Sequence, residues 1–202
     1  MNMRKHDAWL VDLDGTLYQP APLKVIMAAS VVLLGPVAMR VIFQFRKEHE
    51  AIRHEGLTCS PSPYATQIER TAKAINMAPA KVEALVEKCM FERPLPFLPR
   101  LKRKDLIAEI GAFRNDGGRT AIVSDYPAQK KLAALGVAEL FDRVVASGEP
   151  SGPSKLKPAP DGYLLAANVL GVEPSRCLVI GDREDADGAA AKSAGMEFRL
   201  IK

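Results

Sequence analysis

Five short apolar runs constrain this chain more than any other feature. They are Ala8–Val11, Arg119–Val123, Val144–Ala146, Arg176–Ile180 and Phe198–Ile201. The first four stop at acidic, glycine or serine residues: Asp12, Ser124, Ser147 and Gly181-Asp182. A short apolar run that ends in such residues reads as a buried strand entering a turn. Segments with helical periodicity lie at 102–115, 127–135, 160–170 and 187–194. Strands that alternate with helices pair in parallel through right-handed crossovers. The expected core is therefore a Rossmann-like α/β three-layer sandwich around a parallel sheet.

In such sheets, ligands sit beyond the carboxyl ends of the strands. Asp12 and Asp14 follow the first run, two residues apart, which puts both on one side of an extended backbone. Ser124 and Asp125 follow the second run. Lys157 lies in the loop after the third, and Asp182, Asp185 and Asp187 follow the fourth. Each has an ordinary reading alone: Ser124 or Asp125 as a helix cap, Lys157 as a solvated lysine, Asp187 as an N-cap. Their arrival at one rim from four places in the chain gives the set its weight. Asp12, Asp14 and Asp182 could not all ionise side by side without a cation. Hard oxygen donors without His or Cys suit Mg²⁺. Lys157 adds a fixed positive charge and Ser124 a hydroxyl donor, so the rim suits a phosphoryl group.

Residues 19–98 break the alternation. Val25–Phe45 is nearly long enough and apolar enough to span a bilayer, but Gly35-Pro36 interrupts it and Arg40 lies within it. We read two packed helices, about 22–34 and 36–54, rather than a membrane span. Two amphipathic helices follow at 64–75 and 79–91. RPLPFLPR, with Pro94, Pro96 and Pro99, reads as a stiff linker. Residues 19–98 thus form an expected helical insertion between proline-rich hinges, and 1–18 with 99–202 form the α/β core.

The net charge is +4 and the pI about 9.0. That balance mildly favours anionic ligands but is too small to argue for nucleic acid. Cys59, Cys89 and Cys177 are odd in number and have no metal-ligand spacing. MNMRKHDAW lacks the apolar stretch of a secretory signal. A reducing, cytoplasmic setting is expected.

DLDGT at 12–16, Ser124 after a hydrophobic strand, Lys157 in KPAPDGY, and GDREDAD at 181–187 together resemble the four motifs of the haloacid dehalogenase (HAD) superfamily. The helical insertion resembles that superfamily's C1 cap domain. The resemblance implies Asp12 as nucleophile and Asp14 as general acid and base. It implies Ser124 and Lys157 as groups that hold and neutralise the phosphoryl group. It implies Asp12, the Asp14 carbonyl and Asp182 around Mg²⁺, with Asp187 supporting the metal shell or the lysine. Asp125 departs from the pattern, because relatives often carry an uncharged residue there; it could repel the phosphate, or contact the cap or the substrate. The DxD form fits phosphate-ester chemistry, so a small phosphorylated metabolite is the expected partner of a monomer or homodimer. A phosphosugar mutase of the β-phosphoglucomutase type and a non-catalytic phosphate-binding module are the alternatives.

Overall fold

A computed structural model describes residues 5–149 and 151–202; Met1–Arg4, the start of the N-terminus read above, and Pro150 lie outside the described residues. The strands are β1 (Ala8–Val11), β2 (Arg119–Ser124), β3 (Arg143–Ala146), β4 (Cys177–Gly181) and β5 (Glu197–Leu200). They form one parallel sheet in the order β3-β2-β1-β4-β5. Val11 pairs with Ile122 on one side and with Ile180 on the other, so β1 is the middle strand.

Alternation along the strands separates two apolar layers. Val11, Ile122 and Ile180 face one layer, packed on α5 (Leu98–Leu101), α6 (Lys104–Asn115) and α7 (Gln129–Leu135) through Leu98, Ile110 and Leu132. Leu10, Val123 and Val179 face the other, on α8 (Asp161–Leu170) and α9 (Ala189–Ser193) through Tyr163, Ala166 and Ala190. Burial on both faces is what a run of Val, Ile and Leu without polar alternation encodes.

Residues 20–92, between β1 and α5, are helical: α1 (Pro20–Leu33), α2 (Pro36–Glu55), α3 (Pro63–Ile75) and α4 (Pro79–Val86), continued by a π-helical turn at Glu87–Glu92. It has its own apolar cluster, which includes Val41, Phe45, Ile68, Val82 and Phe91. Gly35, at φ +85°, makes the turn between α1 and α2. Among the described residues, no helix is long and apolar enough to cross a membrane. The proline-rich exit differs from a stiff linker. Leu95–Phe97 is a 3₁₀ turn that runs into α5, and Leu98 is 1% exposed. Prolines fit there because first-turn positions need no N–H donor. Entry and exit lie side by side: the Gln19 N–H donates to the Leu101 carbonyl, and the Arg103 N–H to the Leu17 carbonyl, both at 2.9 Å.

Four helix starts differ from expectation by two residues; α1 begins at Pro20 and α6 at Lys104. The segment read as opening at Pro127 becomes helical at Gln129, because Glu149 Oε1 accepts from the Ala128 and Gln129 N–H groups. The last helix begins at Ala189, after a π-helical turn at Glu184–Gly188 that carries Asp187 toward the sheet.

Candidate active site

Three strand ends meet where β1, β2 and β4 stop. The Asp12 N–H donates to the Ile180 carbonyl at 2.8 Å, which extends the ladder one residue and sets Asp12 beside β4. Gly15, at φ +98°, turns the chain away, and a Cβ at that position would overlap the Asp182 carboxylate. A Cβ at Gly181 would likewise overlap the Asp187 side chain. The two glycines therefore leave the room that the two carboxylates fill.

Lys157 sits at the centre. Its Nζ donates to Asp12 Oδ1 at 2.5 Å, to Asp187 Oδ1 at 2.7 Å and to the Val123 carbonyl at 3.3 Å. Its side chain is 6% exposed. Asp187 also accepts from the Tyr163 hydroxyl at 2.7 Å and from the Arg183 N–H at 3.2 Å. Asp12 Oδ2 accepts from Thr16 Oγ1 at 2.9 Å. Ser124 is buried; its Oγ accepts from the Tyr126 N–H at 3.2 Å, which leaves its own proton free to donate.

Oxygens of Asp12, Asp182 and Asp187 lie within 4.8 Å of one another. The charge in this cluster is costly. Burial pushes the Asp12 carboxyl up to about 8; Lys157 pulls it down, and Asp187 and Asp14 add to the rise. Burial and then Asp187 also raise Asp182. Burial opposes the charge on Lys157, yet Asp12, Tyr163 and Asp187 hold it well above the usual lysine range. One lysine does not balance three acids. A donor set of hard carboxylate oxygens with surplus negative charge fits a divalent cation of the Mg²⁺ kind.

Asp14 lines the same rim cavity as Asp12 but has partners of its own. Its side chain turns to Lys131 on α7, whose Nζ donates at 2.6 and 2.7 Å, and to the Tyr18 hydroxyl. Burial works to raise the Asp14 carboxyl, but Lys131 and Tyr18 overcome it and hold the group below its usual range. Asp185, the second acid weighed beside Asp187, points instead to Arg183 and is exposed.

Asp125 contacts the helical segment. Its Oδ2 accepts from Arg53 Nη2 on α2 at 3.2 Å, and its Oδ1 accepts from the Lys157 N–H at 3.1 Å. Arg53 in turn lies 3.2 Å from His49 Nε2, and burial lowers the His49 pKa, which favours the neutral ring. Arg53, Lys131, Tyr18 and Tyr163 were not singled out as site groups in the sequence; His49, a candidate polar residue of the helical insertion expected to face solvent, is instead buried at the rim. The Tyr18 spacing of four from Asp14 was the one local cue. Lys131 meets Asp14 across 117 positions of chain, and local pattern carries no trace of that.

Two cavities open at this rim. One, of about 120 Å³, is lined by Asp12, Ser124, Asp125, Lys157, Asp182 and Arg53 among others. The other, of about 210 Å³, lies between Asp14 and the helical segment.

Residues 6–195 match the profile of the haloacid dehalogenase-like hydrolases. The chain is 28% identical to a phosphoglycolate phosphatase of Escherichia coli K12 over 91% of its own length and 76% of that protein's. It is 44% identical to the fructose-1-phosphate phosphatase YqaB of the same organism, over only 35% of each chain. The fold resembles the crystal structure of a HAD phosphatase from Thermococcus onnurineus, with a TM-score of 0.62 at 24% identity, covering 97% of this chain and 86% of that one. The chain belongs to the haloacid dehalogenase-like hydrolase family.

Proposed function

We propose that this protein is a Mg²⁺-dependent hydrolase of small phosphate monoesters that works through an aspartyl-phosphate, with residues 19–98 as a cap over the α/β core. The observation that carries the reading is Lys157 Nζ, held between Asp12 and Asp187 with Asp182 alongside. That set leaves one carboxylate oxygen, Asp12 Oδ2, fixed by Thr16 rather than by the lysine.

In the first step, an Asp12 oxygen bonds to phosphorus and the ester oxygen departs with a proton from Asp14. In the second, Asp14 takes a proton from water, the hydroxide oxygen bonds to phosphorus, and the Asp12–phosphorus bond breaks to release phosphate. Asp14 must leave Lys131 to reach the departing oxygen, and must carry a proton that Lys131 disfavours. Lys157 and the Ser124 hydroxyl neutralise and orient the phosphoryl oxygens. Asp12, Asp182 and the Asp14 carbonyl would hold Mg²⁺, with Asp187 bracing both the lysine and the shell. Mg²⁺ would supply charge neutralisation at the transferring group. Asp125, through Arg53, would tie α2 of the cap to the loop that carries Lys157. The buried, unpaired thiols suit a reducing, cytoplasmic setting.

The test is release of inorganic phosphate from a generic aryl phosphate. Activity should need Mg²⁺ and vanish with EDTA. With a sugar phosphate the product should be free sugar; accumulation of an isomer in place of phosphate would mean a mutase, and no turnover on a broad panel would sink the reading.

The same site predicts a pH and metal dependence of stability. Three groups act in separate windows. Asp14, held low, contributes stability that is present above the usual carboxylate range and is lost below it. Lys157, held high, contributes stability lost only above about 10.5. Asp12 has the opposite sign to Asp14. Between 3.8 and about 8 the folded form binds the proton that the unfolded form has released. Metal-free stability should therefore fall as pH rises through that interval, by up to about 1.4 kcal/mol per pH unit. Mg²⁺ favours the ionised carboxyl, so its stabilising effect should be larger at pH 8 than at pH 5 and should release protons. Melting temperatures in EDTA and in Mg²⁺ across that range check it; equal shifts at both pH values would contradict it.

A further inference from the structure

The 210 Å³ cavity carries the substrate class, an inference that rests on the phosphatase reading above. It adjoins Asp14, Gly15 and Asp182 at the reacting rim and runs under α1. Leu23, Met27, Met90, Leu95, Leu98 and Tyr126 line it. Its polar lining is grouped at the reacting end, where Lys131 and Tyr18 donate to Asp14 at rest and Asp182 and Arg183 lie alongside; the deeper wall is apolar. A polyhydroxylated leaving group extending along Leu23, Met27, Met90 and Leu95 would leave the hydroxyls on that side desolvated and unpartnered, which costs more than leaving them in water. An apolar body would cover Leu and Met surface instead. Lys24 and Arg46, both on the lining, are exposed. We propose that the leaving group of the substrate is apolar, an aryl-alkyl or branched alkyl alcohol, and not a sugar or other polyol.

The experiment compares benzyl and hexyl phosphate with glycerol 1-phosphate and a hexose 6-phosphate. All four release alcohols of similar acidity, so the chemical step is matched and the difference reports the pocket. Acetyl phosphate, too small to reach the apolar walls, reports the phosphoryl chemistry alone. The apolar esters should exceed the polyol esters in kcat/KM by tenfold or more, mostly through KM. Leu95→Gln should narrow that ratio. Turnover of acetyl phosphate together with equal or better use of polyol esters overturns the pocket assignment and leaves the phosphatase reading standing. Failure of acetyl phosphate and all four esters removes both.

A separate observation concerns the outer face of the α1–α2 hairpin. Surface helices normally turn polar residues outward. Here Val25, Val32 and Leu33 on α1 and Val37, Met39 and Phe43 on α2 are exposed, Leu33 to 82% and Phe43 to 73%. Val25 and Val32 are seven apart, so they lie on one stripe. From Gly15 to Lys47 the chain has no acidic residue, while Arg40 and Lys47, neither of them on the cavity lining, are exposed. An apolar stripe in a stretch whose charged residues are all cationic until Glu48 matches an anionic lipid surface, on which a helix lies in the plane of the interface. A second copy would bring like charges together. We infer that the α1–α2 hairpin seats on anionic membranes without crossing them.

Sedimentation with vesicles tests this. The protein should pellet with phosphatidylcholine vesicles that contain phosphatidylglycerol, should pellet far less with phosphatidylcholine alone, and should be released by salt. Phe43→Glu and Leu33→Glu should each lower the bound fraction at least fivefold without changing turnover of a soluble ester. Absence of binding to both vesicles overturns the inference. So does concentration-dependent dimerisation that Phe43→Glu abolishes, because the face then belongs to a second copy.

Discussion

Asp12→Asn is expected to leave a folded protein whose turnover has fallen on the order of 10⁴-fold or more. The amide keeps the shape of the carboxyl and can still meet Thr16 and Lys157, but its oxygen is neutral and will not attack phosphorus. The expected stability change separates chemistry from folding. Asp12 is buried, and burial pushes its carboxyl up to about 8. A neutral amide removes that strain, so the metal-free variant should melt at or above the wild-type temperature at pH 8. The stabilising effect of Mg²⁺ should shrink with the lost charge. Steady-state kinetics and thermal melts with and without Mg²⁺ read both effects. Turnover within tenfold of wild type would place the nucleophile elsewhere, and a large loss of stability would mean that Asp12 is structural.

The parts of this site differ in how far they could be read from the chain. Strand ends are local events: an apolar run stops and a polar residue follows. A parallel sheet sends all those ends to one side. Asp12, Ser124, Lys157 and Asp182 could therefore be grouped without coordinates, and so could the alternating core. The pairing of each group could not. Lys131 follows Lys130 on α7, and nothing local says that one lysine meets Glu87 while the next, 9% exposed, meets Asp14. Asp125 seemed out of place beside a phosphate site until Arg53 supplied its partner from a helix 72 positions away. The prolines at 94–99 misled for a related reason. Proline bars a helix interior but suits its first turn, and only the packing of Leu98 decides which applies.

The largest stability effect belongs to Lys157. Lys157→Met keeps most of the side-chain volume and removes the charge that separates Asp12 from Asp187. Breaking a buried pair by deleting one partner typically costs about 3–5 kcal/mol, because the remaining charge has neither water nor a counter-ion. Here two carboxylates remain, 9% and 2% exposed. The variant can escape the cost only by binding protons, so its deficit should be large at pH 8 and smaller at pH 5. The wild-type lysine does not create that slope by titrating, since its own contribution fades only above the ordinary lysine range. Mg²⁺ should recover part of the lost stability by supplying positive charge. It should not recover turnover, because the phosphoryl group would still lack the lysine. Denaturant midpoints at pH 5 and 8, with and without Mg²⁺, give the four values needed. A variant as stable as wild type at pH 8 without metal would mean that the Asp12–Lys157–Asp187 contacts are not what stabilises this rim, and with them would go the electrostatic case for a phosphate held there.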